Sequence, residues 1–214
     1  MHAPRLLLDS NLVSPTRSRN KLAHATLPDE LDEAGWDYGV PLADVRRLIT
    51  QWTNGYDWRA HEAALNAELP QFTCDIEIKG FGTLNIHYVH KRSEVDSAIP
   101  LLFVHGCALR KCVTLTDVWR CTGPGSFIEV RKILPLLTAK PQKDEHPSFH
   151  VVALSLPGLG FAAVQYAEVA NKLMLALGYD EYVSQGGDWG NLITGVNANM
   201  NGPKHVKAWH TNGA

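Results

Sequence analysis

The residues best placed to do chemistry are Gly186-Gly187-Asp188-Trp189-Gly190. The stretch before them, Glu181-Tyr182-Val183-Ser184-Gln185, has strand character, and Asn191-Leu192-Ile193-Thr194-Gly195-Val196 opens as a helix. A G-x-nucleophile-x-G turn between strand and helix presents its central side chain in a strained, exposed position. Flanking glycines suit it because the neighbouring backbones approach closely. With aspartate at the centre, the chemistry is set by the bond it forms. A serine attacking a saturated carbon would leave a stable ether. A carboxylate attacking the same carbon leaves an ester that water can cleave. The motif therefore points to an electrophilic sp3 carbon, as in epoxides or alkyl halides. The alternative reading is a glycine-rich turn whose Asp188 only caps the next helix.

The elements that must hold this turn follow from periodicity. Leu42, Val45, Leu48, Ile49 and Trp52 have helical spacing, and Trp58 to Leu69 reads as a second helix ended by Pro70. The preceding stretch, Gly35-Trp36-Asp37-Tyr38-Gly39-Val40-Pro41, reads as an aromatic meander, and packing is the expected role of its tryptophan and of those in the helices. From Phe72 to His90 the period becomes two: Ile76 and Ile78, then Gly80-Phe81-Gly82, then Leu84, Ile86 and Tyr88, a β-hairpin. Ile99–Val104 and His150–Ser155 are buried parallel strands. Ser126-Phe127-Ile128-Glu129 is a capping box opening a helix through Ile133, Leu134 and Leu137. Tyr166 to Leu177 is an amphipathic helix stopped by Gly178. A hairpin followed by βαβαβα gives an α/β, doubly wound layout.

The chain has 214 residues and a formal net charge of −2, which argues against a general nucleic-acid or anionic-membrane binder. No apolar run approaches the roughly 20 residues of a membrane span, and Met1–Asn20 reads as a loose tail without a clear anchor. The four cysteines do not make a secreted disulfide framework, so an intracellular, cytoplasmic protein is expected. Cys107, Cys112 and Cys121 match no standard zinc spacing and have no histidine among them, so no metal is expected.

Taken together, these residues resemble the epoxide hydrolases of the microsomal type, in which an N-terminal extension precedes an α/β-hydrolase core. The resemblance spans about residues 21–212. It rests on Gly35-Trp36-Asp37-Tyr38-Gly39, Tyr56-Asp57-Trp58-Arg59, Leu69-Pro70-Gln71-Phe72, Gly82–Tyr88, Val104-His105-Gly106, Pro124-Gly125-Ser126-Phe127, Leu156-Pro157-Gly158 and the Asp188 turn. It implies residues 21–95 as the helical and meander extension with the first hairpin, and 96–214 as the N-terminal part of the core. It also implies Asp188 as a nucleophile that opens an epoxide and becomes a covalent ester, with the backbone N–H groups of Trp189 and Cys107 as the oxyanion hole. Gly186, Gly187 and Gly190 shape the turn; Gly106 and Pro124 belong to the oxyanion loop; His105 braces that loop rather than acting as a base. Cap tyrosines would protonate the leaving oxygen, and a later histidine with an acidic partner would activate water. The partners are then an epoxide and water, the product a vicinal diol, and no cofactor is needed.

Three departures from the family pattern stand out. The family's short His-Gly-x-Pro-Gly motif is split here by Cys107–Gly123. Codon logic suggests a retained intron of about fifty nucleotides, whose removal would join Gly106 through one tryptophan to Pro124-Gly125. A genuine surface insertion is the alternative. Second, Gly160-Phe161 runs into Ala162–Tyr166 where the family carries a longer polar loop. Third, the cap, the later strands, the acidic partner and the base histidine do not appear before Ala214, and His205 and His210 read as surface or packing residues. The expectation is an incomplete enzyme that forms the ester without turning over. Two other functions stay open: a haloalkane dehalogenase-like hydrolase, with which Trp189 is compatible, and a non-catalytic truncated product.

Overall fold

The computed structural model describes residues 5–8, 15–106, 125–141, 146–158 and 161–212. They form two compact units, residues 7–67 and residues 68–214 with the first six residues. The division falls at Glu68 and not at residue 95. The reason is pairing: the hairpin expected to close the extension is hydrogen-bonded into the main sheet.

In the smaller unit the helices are α1 (Pro15–Ala23), α2 (Leu42–Asn54) and most of α3 (Trp58–Glu68). Helix α1 lies largely within the stretch expected to be a loose tail, and Pro15 at its first position supplies a φ already suited to a helix. The tryptophans expected to pack do not: Trp36, Trp52 and Trp58 are exposed.

The larger unit holds β1 (Gln71–Ile78), β2 (Gly82–Lys91), β3 (Ile99–Val104), α4 (Leu134–Thr138), β4 (Phe149–Leu154), α5 (Ala163–Ala176), β5 (Tyr182–Gly186), α6 (Trp189–Asn201) and β6 (Val206–Thr211). The sheet order is β1-β2-β4-β3-β5-β6. β1, β2 and β4 pair antiparallel, and β4, β3, β5 and β6 run parallel. Leu6 adds an isolated antiparallel bridge to Gln71 at the start of β1. This is the α/β architecture expected, with one local difference. Ser126 does carry the capping box, but it opens a 3-10 turn (Phe127–Val130), and α4 starts separately with Pro135 in its first turn. Proline lacks the N–H a continuous helix needs there, so the helix restarts around it.

Alternation along each strand decides the layers. Ile76, Ile86, Leu102, Val104, Val152 and Leu154 face α5 and α6, where Val169, Leu173, Met174 and Ile193 are fully enclosed. Burying each such side chain contributes about 1.5–3 kcal/mol. On the other face α4 packs against β4, next to Val151.

The topology also locates the site. From β3 the chain passes by way of α4 to β4; from β4 it passes by α5 to β5, on the far side of β3. The connections after β3 and β5 therefore diverge to opposite faces, opening a crevice at the carboxyl ends of those strands. Ligands bind at such switch points in open α/β sheets.

Candidate active site

Val104 and Gly186 are register partners at the ends of β3 and β5, so His105-Gly106 and Gly187-Asp188 leave the sheet side by side. Asp188 has φ 51° and ψ −122°. A non-glycine residue at positive φ is uncommon and strained, and it persists only where its surroundings over-determine it. Here the surroundings are backbone. A side chain on Gly186 would collide with the carbonyl of Gly190, and one on Gly190 with the carbonyls of Val104 and His105. The two small residues let helix α6 start directly over the ends of β3 and β5. The Asp188 carbonyl accepts from Asn191 N–H at 3.0 Å and so opens α6, yet its side chain makes no capping hydrogen bond. The capping-only alternative is thereby removed: the side chain is held away from the helix end.

The carboxylate faces the loop after β3. A Cβ on Gly106 would stand 3.2 Å from Asp188 Oδ2 and 3.0 Å from Asp188 Cβ. Only glycine leaves that approach open. Trp189 N–H is in the first turn of α6, where backbone N–H groups have no intrahelical acceptor and the helix dipole favours negative charge. The other expected donor, Cys107, lies outside the described residues, as do Pro124 and the whole 107–123 segment.

His105 is 5% exposed and uses both ring nitrogens. Leu156 N–H donates to Nε2 at 3.3 Å, which leaves Nδ1–H to donate to the Gly106 carbonyl at 2.8 Å. The ring ties the Gly106 loop to the end of β4. Behind it, His87 Nδ1 contacts Ser155 Oγ at 2.7 Å and its Nε2 contacts Gln71 Oε1 at 3.1 Å; burial lowers the His87 pKa. Gly125 abuts Gly106, for a side chain there would strike the Gly106 carbonyl and the Glu129 carboxylate. Glu129 Oε1 accepts from Ser126 N–H at 3.2 Å, so the capping box fixes the point at which the chain returns.

A cleft of about 510 Å³ opens over Asp188, walled by Phe103, Gly106, Glu129, Gln185, Gly187 and Asn212. Glu129, Gln185 and Asn212 are residues that sequence reasoning did not place at the site. For Gln185 the available signal was its position directly before the turn; for Asn212 there was none until β6 was seen to end beside Gly187. Among the described residues, the buried side-chain oxygens without a hydrogen-bond partner are Ser184 Oγ, Gln185 Oε1 and Asn191 Oδ1. All three flank the turn, and each such group costs about 1–3 kcal/mol. Polar strain of this kind gathers where function demands it. His210 is exposed and lines a separate apolar groove on the sheet face, and His205 Nδ1 meets the Asp180 carbonyl at 2.8 Å. Neither reaches the cleft. No group of metal-ligating side chains occurs among the described residues.

A doubly wound sheet with a strained aspartate at the strand-to-helix turn after β5, opposite a His-Gly loop after β3, defines an α/β-hydrolase core. Residues 13–109 match the family model described as epoxide hydrolase N terminus. Epoxide hydrolase 1 of Sus scrofa is 37% identical over 202 residues, covering 87% of this chain and 39% of that protein. Juvenile hormone epoxide hydrolase 2 of Ctenocephalides felis is 32% identical over 204 residues, covering 90% and 39%. The crystal structure of juvenile hormone epoxide hydrolase from Bombyx mori superposes with a TM-score of 0.79 at 26% identity, covering 100% of this chain and 48% of that one. The Aspergillus niger epoxide hydrolase structure gives 0.73 at 27%, covering 99% and 52%. The chain belongs to the epoxide hydrolase family. It spans 39% of the length of each of the two curated relatives.

Proposed function

We propose that this chain carries the nucleophilic half of an epoxide hydrolase site, with Asp188 as the attacking group. The observation that supports this most is the strained backbone of Asp188 combined with a side chain turned to Gly106 and away from its helix. One carboxylate oxygen forms a bond to an epoxide carbon as the ring C–O bond on that carbon breaks, leaving the other ring oxygen–carbon bond as an alkoxide. That alkoxide takes a proton and becomes a hydroxyl. The product is a hydroxyalkyl ester of Asp188, and addition of water at the ester carbonyl would release the vicinal diol. Trp189 N–H is positioned for the oxyanion formed in that second step, and the residue after Gly106 would supply the second donor.

Among the described residues no histidine lines the cleft. Ester formation is therefore the step this chain supports, and the ester should outlive its formation. The substrates are an epoxide and water. No helix among the described residues is long and apolar enough to cross a membrane, and the cysteine usage favours an intracellular setting. The test is intact mass spectrometry after incubation with styrene oxide. A mass increase of one epoxide in the native chain, lost in Asp188→Asn, supports the reading; an unmodified native chain overturns it.

A further inference from the structure

The turn at Asp188 is flanked on both sides. β5 lies between β3 and β6, so Gly106 leaves from one flank of Asp188 and Asn212 from the other. Gly186 pairs with Thr211, which sets Asn212 level with Gly187. The fit is close: any side chain on Gly187 would collide with the Asn212 carboxamide. Asn212 is exposed and shares the wall of the Asp188 cleft. Its strand is itself anchored, since Trp209 Nε1–H donates to Thr194 Oγ1 at 2.9 Å and Thr194 Oγ1 donates to the Gly190 carbonyl at 2.7 Å. The end of β6 is thus tied to the same helix that Asp188 opens.

On the β3 flank, Asp188 Oδ2 meets a loop with no side chain at Gly106. On the β6 flank the cleft presents a carboxamide able to donate two N–H groups. We propose that Asn212 is a positioning residue for the nucleophile. It limits rotation of the Asp188 carboxylate from the β6 flank and favours its ionised form, so that one oxygen stays turned to the Gly106 side and the other to substrate. The inference rests on Asp188 being the nucleophile.

The experiment measures the rate of ester formation with styrene oxide by intact mass, as a function of pH, in the native chain, Asn212→Ala and Asn212→Asp. Loss of a hydrogen bond to a charged group predicts a rate lower by about tenfold or more in Asn212→Ala, with an unchanged melting temperature. Asn212→Asp keeps the shape but adds a like charge; the pH midpoint for ester formation should move up by about one unit or more. Glu129 is the other ionisable group on the cleft wall, and it is the same in all three proteins. A residue that only packs against Gly187 would not move that midpoint. Native rates in Asn212→Ala with an unmoved midpoint in Asn212→Asp overturn the inference while leaving Asp188 as nucleophile. No adduct on the native chain overturns the nucleophile itself, and this inference with it.

Discussion

Two glycines in one helix separate close packing at the turn from helix propensity. Gly190 and Gly195 both lie in α6. In a helix, alanine is favoured over glycine by up to about 1 kcal/mol. At Gly195 the new methyl would stand 3.3 Å from Trp209 Cζ2, against the edge of a side chain on β6 that can shift slightly. The gain and the crowding roughly cancel, so Gly195→Ala should change stability by less than about 0.5 kcal/mol. At Gly190 the methyl meets main-chain atoms, with the Val104 carbonyl carbon and the His105 carbonyl oxygen each 3.0 Å away and the Val104 oxygen nearer still. Neither strand can give way without breaking the β3–β5 register. Overpacking of this kind costs about 1–3 kcal/mol or more, and the propensity gain is small at the second residue of a helix. A net loss of about 2 kcal/mol, at a urea dependence of about 2 kcal/mol per molar, lowers the unfolding midpoint by about 1 M. Urea titrations followed by tryptophan fluorescence and circular dichroism would read it. If Gly190→Ala and Gly195→Ala unfold at the same urea concentration, α6 is not seated on the ends of β3 and β5 as described.

Burial pushes the Tyr182 phenol up to about 12, partly offset by its hydrogen bond with Asn197. The unfolded chain ionises first, so the stability Tyr182 contributes is complete below about pH 10 and is lost as pH rises towards 12; one late-titrating tyrosine in the absorbance, coincident with unfolding, is the expected result. Tyr182→Phe should cost about 1–3 kcal/mol, because Asn171 and Asn197 each lose a buried partner. Burial lowers the pKa of His87, so protons bind the unfolded chain first and stability falls as pH drops below about 6.5. His87→Asn should flatten that decline in urea midpoint without abolishing it, since burial lowers His150 as well. Because Gly106 abuts Gly125, replacing 107–123 by a single tryptophan should preserve the melting temperature and raise the rate of ester formation, the new residue's N–H supplying the second oxyanion donor; a chain that no longer folds would refute that closure.

Much of the larger unit was legible because its signals are local. Ile99–Val104 reads as a strand from its unbroken apolar run and forms β3 over those same residues. The hairpin period, the Ser126 capping box and the strand–turn–helix around Asp188 were equally local. What escaped was set by tertiary placement. Asn212 carries no motif, and it becomes a wall of the cleft only because β6 adds beside β5 in register with Gly186. The Glu129 carboxylate was legible as a cap, but its place on the cleft wall depends on Gly125 returning to Gly106. The exposed Trp36 and Trp52 run against the expectation that large aromatic residues pack, a preference that is statistical and not positional. The α4 restart at Pro135 shows the reverse case: the residue that breaks the helix was visible, and the hydrophobic spacing around it was given too much weight.

The central claim is that Asp188 attacks carbon, and the most direct measurement is the site of attachment. The native chain would be incubated with styrene oxide, digested, and its peptides fragmented in a mass spectrometer. The expected result is a single hydroxyalkyl ester on Asp188, cleaved by hydroxylamine and absent from Asp188→Asn. Modification at Glu129, at a cysteine or at a histidine, with Asp188 untouched, would contradict it.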